Sequence, residues 1–144
     1  MIGVVSSYVL DSSSLFTLFF SDSEENVLKI LKESSVLDLT GYEIGSILTK
    51  GNDGHIRGLE RELILDLTKE IEKVIANIRV IRLKSLDIAE IMKLSLSTGL
   101  TFYDASYVFY CKFHQMTLLT DDKEMYQKAM KLGLEVKKVE EIFN

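Results

Sequence analysis

The chain has 144 residues, 47% of them hydrophobic and 27% charged, with a formal net charge of −5. This is enough apolar chain for one ordinary core, which excludes a disordered segment. It also excludes a protein held on nucleic acid by broad positive charge; handling RNA or DNA would require a local basic rim and metal ions.

Short apolar runs alternate with longer helical patterns, which predicts a parallel sheet with crossover helices. The opening residues are apolar but carry no basic flank and run straight into Asp11, so no signal peptide is expected. Tyr8–Leu10 predicts the first strand, and Ser13 or Ser14 a cap for a short helix ending at Phe20. Ser23, ahead of Glu24 and Glu25, predicts a second helix ending near Ser34, with Val27, Leu28 and Leu31 on one face. Residues 36–39 predict strand two, and residues 42–50 a helix with Glu43 at its start. Three glycines in the eight residues 51–58 mark the loosest segment, an expected mobile loop. A long amphipathic helix follows over 59–77, then strand three over 78–83 and a helix over 88–97 stopped by Gly99. Residues 103–114 predict the helix bearing Asp104, 117–120 strand four, 122–132 a helix ended by Gly133, and 135–137 a short last strand. Val139–Phe143 predicts a final helical turn. No apolar run approaches the roughly 20 residues that span a bilayer, and proline is absent, leaving turns to glycine, serine, asparagine and aspartate.

Four acids sit at element ends: Asp11 after the first strand, Glu43 and Asp104 at helix starts, and Asp122 after strand four. Ends of elements can converge in an α/β fold, and a carboxylate cluster repels itself unless a cation neutralises it. The pattern therefore predicts a site for a hard divalent ion, Mg²⁺ or Mn²⁺. Taken singly, Asp104 and Asp122 are equally explained as helix N-caps. Cys111, the sole cysteine, excludes an intrachain disulfide and points to a reducing, cytoplasmic setting. It lies among Val108, Phe109 and Tyr110 with no partner motif, as a core thiol rather than a nucleophile. His55 and His114 have no second histidine at ligand spacing, and Phe16, Phe19 and Phe20 suit core or dimer contacts. Lys112, Lys123 and Lys128, and Arg57 and Arg61 beside the loop, are candidate phosphate contacts, though such charges usually just face solvent.

The stretches Val9-Leu-Asp-Ser-Ser13, Thr40-Gly-Tyr-Glu-Ile-Gly-Ser-Ile-Leu48, Gly99-Leu-Thr-Phe-Tyr-Asp-Ala-Ser-Tyr-Val108 and Leu119-Thr-Asp-Asp-Lys-Glu-Met125 resemble the four acidic motifs of PIN-domain ribonucleases, in order and spacing. The likeness is to the short, VapC-type toxins of toxin–antitoxin pairs. It implies a single three-layer α/β domain over 1–144, with a mostly parallel sheet of four or five strands. It implies a metal-dependent endoribonuclease that hydrolyses RNA phosphodiesters, with Asp11 and Asp104 as principal ligands, Glu43 binding directly or through water, and Asp122 completing the site. One ion would activate a water, and the same ion or a second about 4 Å away would stabilise the leaving oxygen. Ser12 and Thr120 would orient carboxylates or waters, and Asp121 competes with Asp122, which the Thr-x-Asp spacing favours. The family often has asparagine three residues past its second acid; Ser46 here is shorter and would hold a water or carboxylate less firmly. The resemblance further implies a homodimer and an antitoxin partner. A housekeeping RNA-processing nuclease is the nearest alternative. A phosphoacceptor signalling domain would want adjacent acids after the first strand and a lysine after the last. A non-catalytic scaffold would want an acid missing.

Overall fold

The computed structural model describes residues 7–21, 23–52 and 60–143. The expected loop over 51–58 lies outside them from residue 53 on, as do His55 and Arg57. The strands are β1 (Tyr8–Leu10), β2 (Ser34–Leu37), β3 (Arg79–Ile81), β4 (Thr117–Leu119) and β5 (Val136–Lys137). They form one sheet in the order β3-β2-β1-β4-β5, and every pairing is parallel. Among the described residues the helices are α1 (Ser12–Phe19), α2 (Glu24–Lys32), α3 (Asp38–Asn52), α4 (Arg61–Asn77), α5 (Ile88–Thr98), α6 (Phe102–His114), α7 (Lys123–Lys131) and α8 (Val139–Phe143), with a 3-10 turn at Leu83–Ser85.

Side chains of a strand alternate between faces, and a parallel sheet covered on both sides needs apolar residues on each. Here Val9, Leu37, Ile81 and Leu118 pack under α5, α6 and α7. Leu10, Val36 and Leu119 pack under α1, α2, α3, α4 and α8. Fully burying one such side chain contributes ~1.5–3 kcal/mol, and Val9, Leu10, Val36, Leu118 and Leu119 are each 0% exposed. The central strands are therefore the anchor of all three layers.

Several boundaries differ from expectation: strand three, expected over 78–83, is Arg79–Ile81 with Leu83 in the 3-10 turn, and two further shifts lie at β2 and α3. Strand β2 starts at Ser34, which the apolar pattern leaves out, because Ser34 Oγ donates to the Ile30 carbonyl at 2.6 Å and closes α2 directly into the sheet. Helix α3 then starts at Asp38 rather than residue 42. The Asp38 carboxylate accepts the Leu39 N–H at 2.9 Å and the Leu83 N–H at 3.0 Å, making the turn itself. Glu43 consequently lies one turn inside its helix. Gly99 (φ 78°) and Gly133 (φ 81°) do stop their helices in the left-handed region, as expected.

Candidate functional site

From β1 the chain winds one way through β2 to β3, and from β4 the other way to β5. The loops leaving β1 and β4 therefore part, opening a crevice beyond the carboxyl ends of these neighbours, where open α/β sheets bind ligands. Asp11 is the first residue past β1, and Thr120, Asp121 and Asp122 follow β4.

Asp11 is 6% exposed and caps α1, displacing Ser13 and Ser14 from that expected role. Its Oδ1 accepts the Ser13 hydroxyl at 2.7 Å and the Ser14 N–H at 2.9 Å, while its Oδ2 accepts the Thr120 hydroxyl. Ser13 Oγ also accepts the N–H groups of Asp121 at 2.9 Å and Asp122 at 3.1 Å. A hydroxyl has one proton to give, so with Ser13 and Thr120 both donating to Asp11, their mutual 3.2 Å contact carries none. The Ser14 hydroxyl lies nearest the Leu119 carbonyl, at 2.8 Å, tying α1 to β4. Burial nonetheless pushes the Asp11 carboxyl up from its ordinary value, with the hydrogen bonds opposing.

The other acids approach from helices. Thr101 caps α6 by accepting the Asp104 N–H at 3.1 Å, so Asp104 stands in the first turn and is not itself the cap. Its carboxylate is left free by the helix start. Asp122 does cap its helix, with Oδ1 accepting the Met125 N–H at 2.9 Å. Glu43 Oε1 accepts the hydroxyl of buried Tyr107 at 2.7 Å, and that hydroxyl also lies 2.6 Å from Thr40 Oγ1. Burial raises Glu43 first; Asp11 and Asp104 raise it further by repulsion, against the Tyr107 bond. Asp104 is likewise raised by burial and then by Asp122, with Lys128 opposing. Lys128 is itself shared with Glu124 at 2.7 Å. The four acids thus form one electrostatic chain, with Asp11 and Asp104 both acting on Glu43, and Asp122 acting on Asp104.

These donors suit a hard divalent ion in kind: all are carboxylate oxygens, with no thiolate or imidazole among them. One oxygen each on Glu43 and Asp122, and both on Asp104, receive no protein donor among the described residues. In spacing they are more open, since no three such groups among the described residues stand close enough to share one ion.

A family model described as the PIN domain matches residues 8–131. The chain belongs to the PIN-domain family. It is 30% identical over 122 residues to a protein of Pyrobaculum aerophilum named exonuclease VapC9, a match covering 85% of each chain. The crystal structure of PAE2754 from Pyrobaculum aerophilum superposes with TM-score 0.79 at 27% identity, over 97% of this chain and 95% of that one. The structure of FitAB bound to a DNA fragment shares the fold, with TM-score 0.61 at 17% identity over 91% and 94%. So does a toxin–antitoxin complex from Klebsiella pneumoniae, with TM-score 0.53 at 18% identity over 83% and 90%.

Within this PIN fold the remaining candidates separate clearly. The hydroxyl that reaches Asp11 from the α1 start is Ser13, one residue beyond the expected Ser12. The signal for it was present, since a residue two past an N-cap Asp can fold back on that carboxylate. Asp121 accepts the Val139 N–H at 3.0 Å, which ties α8 to the crevice. Ser46 is exposed on α3, one turn beyond Glu43. Cys111 is 1% exposed, and burial pushes its thiol far above the ordinary value, as for an inert core group. His114 packs on Tyr110 with ring centroids 4.3 Å apart. No helix among the described residues is long and apolar enough to cross a membrane.

Proposed function

We propose that this PIN-domain protein is a Mg²⁺- or Mn²⁺-dependent ribonuclease and the toxin of a toxin–antitoxin pair, working in the cytoplasm as a homodimer. The observation that carries this reading is the chain of four carboxylates beside the switch point of the sheet, in which Asp11 and Asp104 both act on Glu43 and Asp122 acts on Asp104. The relative named exonuclease VapC9 supports a nuclease, and the toxin–antitoxin complex among the fold neighbours supports an antitoxin partner.

Each residue's role follows from how it is held. Asp11 is the rigid member, fixed by Ser13, Ser14 and Thr120, and serves as a principal ligand with Asp104. Glu43, steered by Tyr107, binds directly or through water, and Asp122 completes the set. When bound, the divalent ion supplies an acidic water and charge stabilisation for the leaving oxygen of a phosphodiester. The chain's own part is to hold the carboxylates aimed, with the buried Asp11 end of the site shielded from bulk water, while a bound cation would offset the burial and repulsion that oppose their ionisation.

The deciding experiment is incubation of linear and circular RNAs with antitoxin-free protein in Mg²⁺, in Mn²⁺ and in EDTA. Metal-dependent cutting of a circular RNA, which has no ends, is the expected result and identifies internal cleavage. Cutting confined to linear RNA ends would instead align the protein with the exonuclease name of its relative. Absence of cutting with either metal would overturn the nuclease reading.

A further inference from the structure

We propose that a cleft between the starts of α3 and α6 holds one unpaired base of a single-stranded RNA, stacked on Tyr42 and Tyr103, and so selects the position of the cut. The proposal rests on the nuclease reading and adds to it a base-binding subsite.

The cleft has a volume of about 240 Å³, with apolar walls from Leu37, Leu39, Leu83 and Phe102. Tyr42 and Tyr103 line it while remaining 82% and 58% exposed. Large exposed rings beside a cleft are surface that folding has left uncovered, which marks a binding face. Tyr42 immediately precedes Glu43, and Tyr103 immediately precedes Asp104. The cleft and the two carboxylates thus belong to the starts of the same two helices, α3 and α6.

The wall chemistry favours a flat, neutral ring. The Asp38 carboxylate is already used by the N–H groups of Leu39 and Leu83, and the Ser106 hydroxyl donates to the Phe102 carbonyl at 2.8 Å. With those groups partly engaged, the cleft's main offer is stacking, which every base can use and which paired bases cannot reach. Charge points the same way. The 3-10 turn that carries Leu83 into the wall also carries Arg82 and Lys84, both exposed and neither in an ion pair among the described residues. A cationic turn beside the wall, with Glu43 and Asp104 each one residue along the chain from a lining tyrosine, suits an anionic backbone with a neutral base in the cleft. An acidic peptide would meet Glu43 and Asp104, and an apolar one would leave Arg82 and Lys84 unmatched. This turn is the local basic rim that an acidic protein needs in order to handle RNA.

The test is steady-state cleavage of a short single-stranded RNA in Mg²⁺ by wild type, Tyr42→Ala, Tyr103→Ala and Tyr42→Phe. The same four proteins are assayed on an RNA with an abasic nucleotide beside the cut. One stacked base lost corresponds to a rise in KM of about ten- to a hundredfold with kcat little changed. Tyr42→Phe should keep wild-type KM, and the alanine variants should lose nothing further on the abasic RNA. Both rings are exposed, and unchanged thermal melting of each variant verifies the fold. Unchanged KM in both alanine variants, with wild type active, overturns the subsite and leaves the nuclease reading standing. Alanine variants that cut normally but escape inhibition by a copurifying protein partner overturn it in favour of a protein-docking cleft. An inactive wild type overturns the nuclease reading, and the subsite with it.

Discussion

Asp104 and Ser13 show how far single residues can be read. Asp104 could serve as a cap or as a functional acid, and the structure places Thr101 in the cap and frees the carboxylate. Asp104→Asn is expected to lower kcat/KM at least about a hundredfold, the scale of losing one preorganised charge contact. It should also raise the melting temperature, because it removes repulsion from Asp122 and Glu124. Cleavage assays beside thermal melts read both effects, and full activity in the variant would remove Asp104 from the site. Ser13 supplies one hydroxyl to Asp11 and accepts two N–H groups from the β4 exit. Ser13→Ala strands the Asp121 N–H, while that of Asp122 keeps Thr120 Oγ1 at 3.1 Å, so it is expected to destabilise by about 1–3 kcal/mol and to lower activity about ten- to a hundredfold. Ser12→Ala should change neither, and urea unfolding of the pair is the comparison. Equal losses in the two variants would contradict the placement.

At the scale of elements, the helices obey their local signals except at one end. Helix α6 finishes at Gln115 in the left-handed region (φ 55°), where the sequence has no glycine. An L-residue there costs roughly 1–2 kcal/mol, partly offset in glycine by its looser unfolded chain. Gln115 is exposed, so little packing depends on it. Gln115→Gly should stabilise by about 1 kcal/mol in urea unfolding, with cleavage unchanged; a loss of stability would mean the side chain contributes more than its strain. The strand starts were harder to see in the sequence. Ser34 and Ser35 are buried in β2, and Ser34 Oγ donates to the Ile30 carbonyl, a relation an apolar pattern does not register.

For the whole molecule, the acids tie stability to pH. Asp11, Glu43 and Asp104 all have carboxyl groups raised above their ordinary values, each mainly by burial. A raised acid holds its proton in the folded chain at a pH where the unfolded chain has released it. Their contribution to stability is therefore full below the ordinary carboxylate values of 3.8 and 4.5 and is lost as pH rises through the raised folded values. In EDTA the melting temperature should rise on acidification from neutral pH toward the ordinary carboxylate values of 3.8 and 4.5. Mg²⁺ at neutral pH should restore several degrees, since an ion at a hundred times its Kd adds about 2.7 kcal/mol. A melting temperature insensitive to both pH and Mg²⁺ would show that the carboxylates are not coupled.

The alternation of apolar runs with helical periods was enough to determine a parallel α/β sheet, because burial of both sheet faces leaves a local, repeating mark on the sequence. Asp11 and Asp122 were legible as strand-exit acids for the same reason: each follows its strand within three residues. Only the tertiary structure decided the rest. The order β3-β2-β1-β4-β5, which brings the ends of β1 and β4 together, depends on contacts across a hundred residues. So does the choice of Ser13 over Ser12, while the Tyr107 bond to Glu43 spans 64 residues and the cleft joins Tyr42 to Tyr103. These are relations between helices that approach from opposite faces of the sheet. No local pattern encodes them, because the atoms involved become neighbours only once the core has closed.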